Sequence, residues 1–305
     1  MTETDPESRA FPTQSGVRPL HRPWITILFC LACIVVFLGL AVANRYDSWD
    51  TRVKFGYLPA HSIRGGAYGG LVTSAFVHFQ AWHLLFNIYW LWRLGARMER
   101  SIGSIAFFAF YLMAATVSSS SQLAVSDTTG IGASGVGYAI FGFMWGARRR
   151  YPEFAEVVDD RIVRLFLLWA VLCVIATHLD VLSIGNAAHF SGLAFGLLVA
   201  GVLARRPVRV VASLGLLLFL AVTIAPVFWC PWSISWLSHR AYDAHADHEY
   251  EIALERYSQL LRRDPENAWA YLNRSFVYVS LGRLEEAAAD HEKALELDPE
   301  IDDSW

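Results

Sequence analysis

Charge is scarce in this chain. Asp, Glu, Lys and Arg make up 17% of its 305 residues, hydrophobic types make up 55%, and mean hydropathy is +0.35. Soluble domains carry about a quarter charged side chains, so an ordinary soluble globule is excluded. Cysteine is rarer still. Cys30, Cys33, Cys173 and Cys230 all lie in or beside apolar runs, which excludes a disulfide framework and leaves the redox compartment open. The zinc signature HExxH is missing, and His78 and His83 do not have zinc spacing. A metalloprotease is therefore set aside, and neither metal nor cofactor is expected. A cleavable leader is not expected either. The opening MTETDPESRAFPTQSGVRPLHR, with three acids and several turn formers, reads as a disordered tail at 1–22. The run after it is too long for a signal peptide and has no clear cleavage site, so it reads as a retained helix.

What the chain does have is apolar runs near 20 residues, the length that crosses a bilayer. They fall at about 24–43, 80–98, 103–123, 132–148, 162–181, 186–204 and 208–229. The short loops between them carry arginine clusters: Arg93, Arg97 and Arg100; Arg148 to Arg150; Arg161 and Arg164; Arg205, Arg206 and Arg209. Alternation puts all of these, with Arg18 and Arg22, on one side, which the positive-inside rule makes cytoplasmic. The loop 44–79 carries Arg45, Arg52, Lys54 and Arg64 on the other side. It is long and Gly-rich, so its own fold is expected to outweigh its charge. No nucleic-acid partner is expected.

The last stretch differs in kind. Residues 239–305 hold 7 Lys/Arg and 16 Asp/Glu, net −9, whereas the remainder carries +6. A domain boundary is placed near Pro231–Ser238. With the amino terminus inside, seven spans leave this acidic part outside. It repeats: Asp264-Pro265 and Asp298-Pro299 stand 34 residues apart. Tyr271, Tyr278, Gly282, Ala287, Ala294 and Pro299 fall where a helical hairpin of that period needs aromatics, small residues and a stop. Leu237, Ala241, Ala253, Tyr257 and Pro265 fit a weaker first unit. Residues 234–299 thus resemble tetratricopeptide (TPR) repeats, which implies a protein partner.

Three stretches in the membrane part share one property: each lies in the outer portion of a span running inward. HFQAWHLLFN places His83 and Asn87 one helical turn apart. GIGASGVGYAIFG does the same for Ser134 and Tyr138. NAAHFSGLAFG carries His189, then Gly192 and Gly196. At 1.5 Å per residue, His83 and Ser134 each lie roughly 21 Å, and His189 roughly 24 Å, from the arginines that mark the inner surface. Polar side chains at one depth on three helices point to a buried site. A serine needs a base, and His189 supplies it. An oxyanion needs donors, available from the Ser134 backbone N–H, His83 and Asn87. Gly132 and Gly135 remove bulk beside Ser134, and the Gly192/Gly196 pair lets its helix approach closely. Tyr138 is placed to pack on the His189 ring. Asp127 and Asp180 lie near helix ends, so a Ser–His dyad is expected rather than a triad.

GASG (132–135) with Tyr138, HLLFN (83–87) and AHFSGLAFG (188–196) resemble the three signatures of rhomboid intramembrane serine proteases. The resemblance runs over about 24–205. It implies a six-helix core at 23–205; with the further apolar run and the repeats, the expected fold is an all-α, polytopic membrane bundle with a seventh helix at 206–230 and TPR-like repeats at 234–305. It implies cleavage of transmembrane protein substrates near the outer leaflet; a bacterial cytoplasmic membrane is expected, with the repeats extracytoplasmic from the alternation of spans. One departure is local: Gly69 and Gly70 stand where many bacterial members have a Trp-Arg pair in the first loop. The rival reading is a non-proteolytic scaffold or chaperone for transmembrane segments, which loss of Ser134 or His189 would mark; both are present. A transporter is third, since the membrane part shows no paired repeats.

Overall fold

The computed structural model describes residues 22–43 and 48–301. The expected tail at 1–22, apart from Arg22, and Arg45 in the first loop therefore fall outside the described residues. Every described element is a helix or helical turn.

The membrane part opens with α1 (Trp24–Ala43). The first loop folds into α2 (Trp49–Lys54), α3 (Ala60–Arg64), α4 (Gly70–Thr73) and a tight turn at Ser74–Phe76. The expected span 80–98 is a composite: α5 (Ala81–Trp90), a widened turn at Leu91–Gly95, and α6 (Ala96–Ile102). Then come α7 (Ser104–Ser126), α8 (Ser134–Ala147), the short α9 (Pro152–Ala155), α10 (Asp160–His178), α11 (Asn186–Val202) and α12 (Val208–Phe228).

Four helices, α1, α7, α10 and α12, are long and apolar enough to cross a membrane by length and composition. The centre is built differently. α8 has 14 residues, about 21 Å of helix against a hydrocarbon core of about 30 Å. A helix that short, surrounded by others, ends inside the bundle, and that end is where Ser134 stands. Its neighbour α11 packs along it closely because glycines remove the intervening bulk. A Cβ on Gly192 would drive into the Gly135 carbonyl, and one on Gly196 into the Ala139 carbonyl. One on Gly142 would come within 2.5 Å of the Leu193 carbonyl oxygen. Around this pair the core is filled by Tyr111, Phe107, Phe141, Phe195, Leu94 and Met98, all buried.

The arginine-bearing helix ends gather at one end of the bundle. Arg97 pairs with Glu156 at 2.5 Å and Arg148 with Asp160 at 2.9 Å. Beside them Glu99, which is buried, closes the start of α1. It accepts from the Ile25 and Thr26 amides at 3.0 and 2.8 Å, from Thr26 Oγ1 at 2.7 Å and from Ser104 Oγ at 2.6 Å. The first amides of a helix have no partner within it, and in apolar surroundings each must find one.

The opposite end is tied by Arg64, whose side chain is 1% exposed. Its guanidinium donates to Pro226 O at 2.8 Å, Ser235 Oγ at 2.9 Å, Ser233 Oγ at 3.0 Å and Asp127 at 3.4 Å. Asp127, the left-handed cap of α7, in turn accepts from the hydroxyls of Ser233 and Ser235 and from the Ile234 amide. The first loop, the end of α7, the end of α12 and the start of the C-terminal unit thus meet at one buried charge.

That unit contains α13 (Ile234–Ala246), α14 (Tyr250–Arg263), α15 (Ala268–Ser280) and α16 (Leu284–Leu297). The starts of α13 and α15, and of α14 and α16, lie 34 residues apart, the spacing of the Asp-Pro pairs. Leu237, Ala241, Ala253, Tyr257, Leu260, Ala270 and Val277 form its core, separate from that of the membrane bundle. Within it the Arg274 guanidinium grips Asp290 with bonds of 2.6 and 2.9 Å. His245 packs near Tyr250 and Tyr257, and burial holds its pKa below the ordinary value.

Candidate active site

The loop into α8 sets the position of Ser134. Gly130 and Gly132 have φ of 72° and 86°, a left-handed region that side chains avoid, and they turn the chain sharply before the helix begins. The Gly132 amide donates to Ser74 O at 3.1 Å, which fastens the turn to the first loop. Ser134 is the first residue of α8, so its backbone N–H is one of those without an intrahelical acceptor.

His189 projects from α11 and is 5% exposed. Its Nε2 lies 2.8 Å from Ser134 Oγ. Its Nδ1 is buried with no hydrogen-bond partner, so no carboxylate orients the ring. The orientation comes from stacking: the Tyr138 ring lies 4.7 Å from the His189 ring at 28°, and Tyr138 OH donates to Phe166 O at 3.1 Å. The glycines act as spacers. A Cβ on Gly135 would sit 2.7 Å from Ser118 Cβ and 3.2 Å from Ala188 O.

His83 and Asn87 lie on α5, on the other side of Ser134. A Cβ on Gly132 would come 2.8 Å from His83 Cε1 and 3.0 Å from its Nε2, so the ring borders the turn that delivers the serine. Asn87 is buried, and its Nδ2 donates to His83 O at 2.9 Å. An amide nitrogen has two hydrogens, so one remains to donate elsewhere. Asp180, considered for the histidine, is exposed; Asp127 belongs to the Arg64 cluster instead. Sequence reasoning passed over His78, read as an interface or loop residue. It does lie between elements, but it is 0% exposed and beside His83, with ring centroids 5.0 Å apart.

Residues 65–207 match the Rhomboid domain. The chain is 38% identical over 131 residues to the rhomboid protease GlpG of Yersinia pseudotuberculosis serotype I (strain IP32953), covering 42% of this chain and 46% of that protein, so the match spans less than half of the relative. It is 31% identical over 201 residues to the rhomboid protease GlpG of Serratia proteamaculans (strain 568), covering 65% of this chain and 69% of that protein. With its counterpart in Enterobacter sp. (strain 638) identity is 34% over 196 residues, covering 62% and 66%. A serine and a histidine meeting inside a bundle of apolar helices belong to the chemistry of intramembrane serine proteases. The chain belongs to the rhomboid family of those enzymes.

Proposed function

We propose that the protein cleaves transmembrane segments by a Ser134–His189 dyad, a reading supported above all by the 2.8 Å contact between Ser134 Oγ and His189 Nε2. His189 Nε2 takes the hydroxyl proton as Oγ attacks a peptide carbonyl. The oxyanion is met by the Ser134 N–H, by His83 and by the second Asn87 N–H. His189 then passes its proton to the leaving amine, and water hydrolyses the acyl-enzyme by the same route in reverse.

The substrate is a membrane-spanning helix cut near its outer end, after a small residue, where nearby Gly or Pro loosens it. A helix hides its carbonyls in hydrogen bonds, so the scissile bond must unwind first. The entry we favour lies between α5 and α10, where Phe86 and Trp169 meet at 5.5 Å and α10 buries little of its length. The arginine-bearing end is cytoplasmic, in a bacterial cytoplasmic membrane, and seven apolar segments traverse it, the α8 segment as a short helix reached by a loop. The α13–α16 unit then lies outside as TPR-like repeats that recruit a substrate's soluble part.

Purified protein in liposomes should cut a single-span substrate, and Ser134→Ala or His189→Ala should lower the rate by several orders of magnitude while the protein stays folded. Ser134→Ala cleaving at the unaltered rate ends the dyad reading. The four native cysteines are buried, so Ser280→Cys gives one exposed thiol. It should react with a membrane-impermeant reagent in intact cells, and labelling only after lysis would place the repeats inside.

A further inference from the structure

His78 has a hydrogen-bonding atom without a partner. It is fully buried, in the turn between the first loop and α5. Its Nδ1 lies 3.2 Å from Phe76 O. A carbonyl only accepts, so this contact puts the ring's proton on Nδ1 and leaves Nε2 as a bare lone pair. That Nε2 is buried and unpartnered. A Cβ on Gly132 would come within 2.9 Å of it and 3.0 Å of His83 Nε2. The lone pair and the His83 Nε2 edge therefore rim the same small niche, kept open because residue 132 has no side chain.

A neutral imidazole carries its proton on one nitrogen or the other, and neighbouring polar atoms decide which. The negative potential of a lone pair on the niche that the His83 Nε2 edge also rims favours a proton there without taking it in a hydrogen bond, so the N–H stays free to donate. We propose that His78 is a positioning residue that holds His83 in the Nε2–H tautomer, the form that can donate to the oxyanion. The inference rests on His83 being an oxyanion donor. It explains why a polar group is buried where an apolar one would pack without an orphaned nitrogen.

The test compares His78→Phe, His78→Gln, His83→Phe and the double variant His78→Phe/His83→Phe, as full-length protein in liposomes with a single-span substrate. His78→Phe should lower kcat roughly tenfold with KM unchanged, less than the 10²–10³-fold that outright loss of a donor can cost. His78→Gln, whose amide oxygen can accept, should recover part of that loss. In the His83→Phe background the second substitution should add nothing. Histidine ¹⁵N spectra should show His83 as the Nε2–H tautomer, shifting to a mixture in His78→Phe. Unaltered kcat in His78→Phe, or equal losses from it with and without His83, overturns the proposal while leaving the donor role standing. An unaltered kcat in His83→Phe removes the donor role itself, and this inference with it. If His78→Phe does not fold, His78→Met carries the same comparison, since it fills the space without a nitrogen acceptor.

Discussion

Two seams of the bundle are built on opposite plans. Between α8 and α11, backbone lies against backbone: Gly192 faces the Gly135 carbonyl and Gly196 the Ala139 carbonyl, with no room for a methyl group. Between α5 and α10 the contact is made by large rings, Phe86 on Trp169 at 5.5 Å and Trp90 on Phe166 at 4.7 Å. α10 itself buries only Val163, Phe166, Ala170 and Cys173. Small residues give a seam with one arrangement. Rings at the end of rotatable bonds give one that can part and close. The first seam carries Ser134 and His189, the proposed dyad, which needs fixed geometry. The second is the proposed entry for a helix-sized substrate.

Closing the first seam's tolerance should have the largest effect. Gly196→Val would push α11 away from α8, and a displacement near 1 Å can cost about 10²-fold in rate. Cleavage should fall by that order or more, together with fluorophosphonate labelling of Ser134. Normal labelling of a Gly196→Val protein would mean that the seam is not what holds the pair. Next comes α5, whose Asn87 faces inward although neighbouring Phe86 faces α10. Asn87→Ala should reduce kcat by about 10–10²-fold, with the backbone donor remaining; a change confined to KM would make Asn87 a binding residue. The smallest effect belongs to the second seam. An aromatic pair is worth about 0.5–1.5 kcal/mol. Trp169→Ala should therefore raise kcat/KM for a transmembrane substrate by about two- to tenfold, with fluorophosphonate labelling unaltered. A fall, or an equal gain in labelling, would move the entry elsewhere.

The helices of the bundle were legible because their cause is local. The apolar run 24–43 ends where α1 ends, and 208–229 gives α12 to within a residue. The three motifs were legible because fixed helical spacing places Ser134 over Tyr138 and His83 over Asn87. The widened turn at Leu91–Gly95 was not, since nothing in LWRLG marks where a helix takes an extra residue into one turn. Nor was the part played by Asp127, which sits at a helix end in sequence but meets Arg64, Ser233 and Ser235 only through the fold. Arg64 itself looked like one more loop charge. A Cβ on Gly70 would be 3.0 Å from Ile63 Cγ1, so a side chain there would require its neighbours to shift. The loop is fastened from Arg64, and by residues of the C-terminal unit. His78 stayed hidden for a related reason: burial and an unpaired nitrogen are properties of a place, and a sequence shows only the residue.

Glu99 sets a timetable for assembly. The carboxylate that closes α1 lies 73 residues beyond Thr26. At 5–20 residues per second, α1 leaves the ribosome about 4–15 s before its cap is made. Throughout that interval the helix must stay in the bilayer on its own apolarity, and a mean hydropathy of 3.0 over its span makes this feasible. The Thr26 hydroxyl and the cysteines at 30 and 33, all buried in the finished protein, await Glu99 on α6 and the rings of α7. The nascent chain thus passes through a stage in which its first helix is committed to the membrane but uncapped. A thiol reagent that partitions into lipid should find Cys33 during synthesis and miss it afterwards.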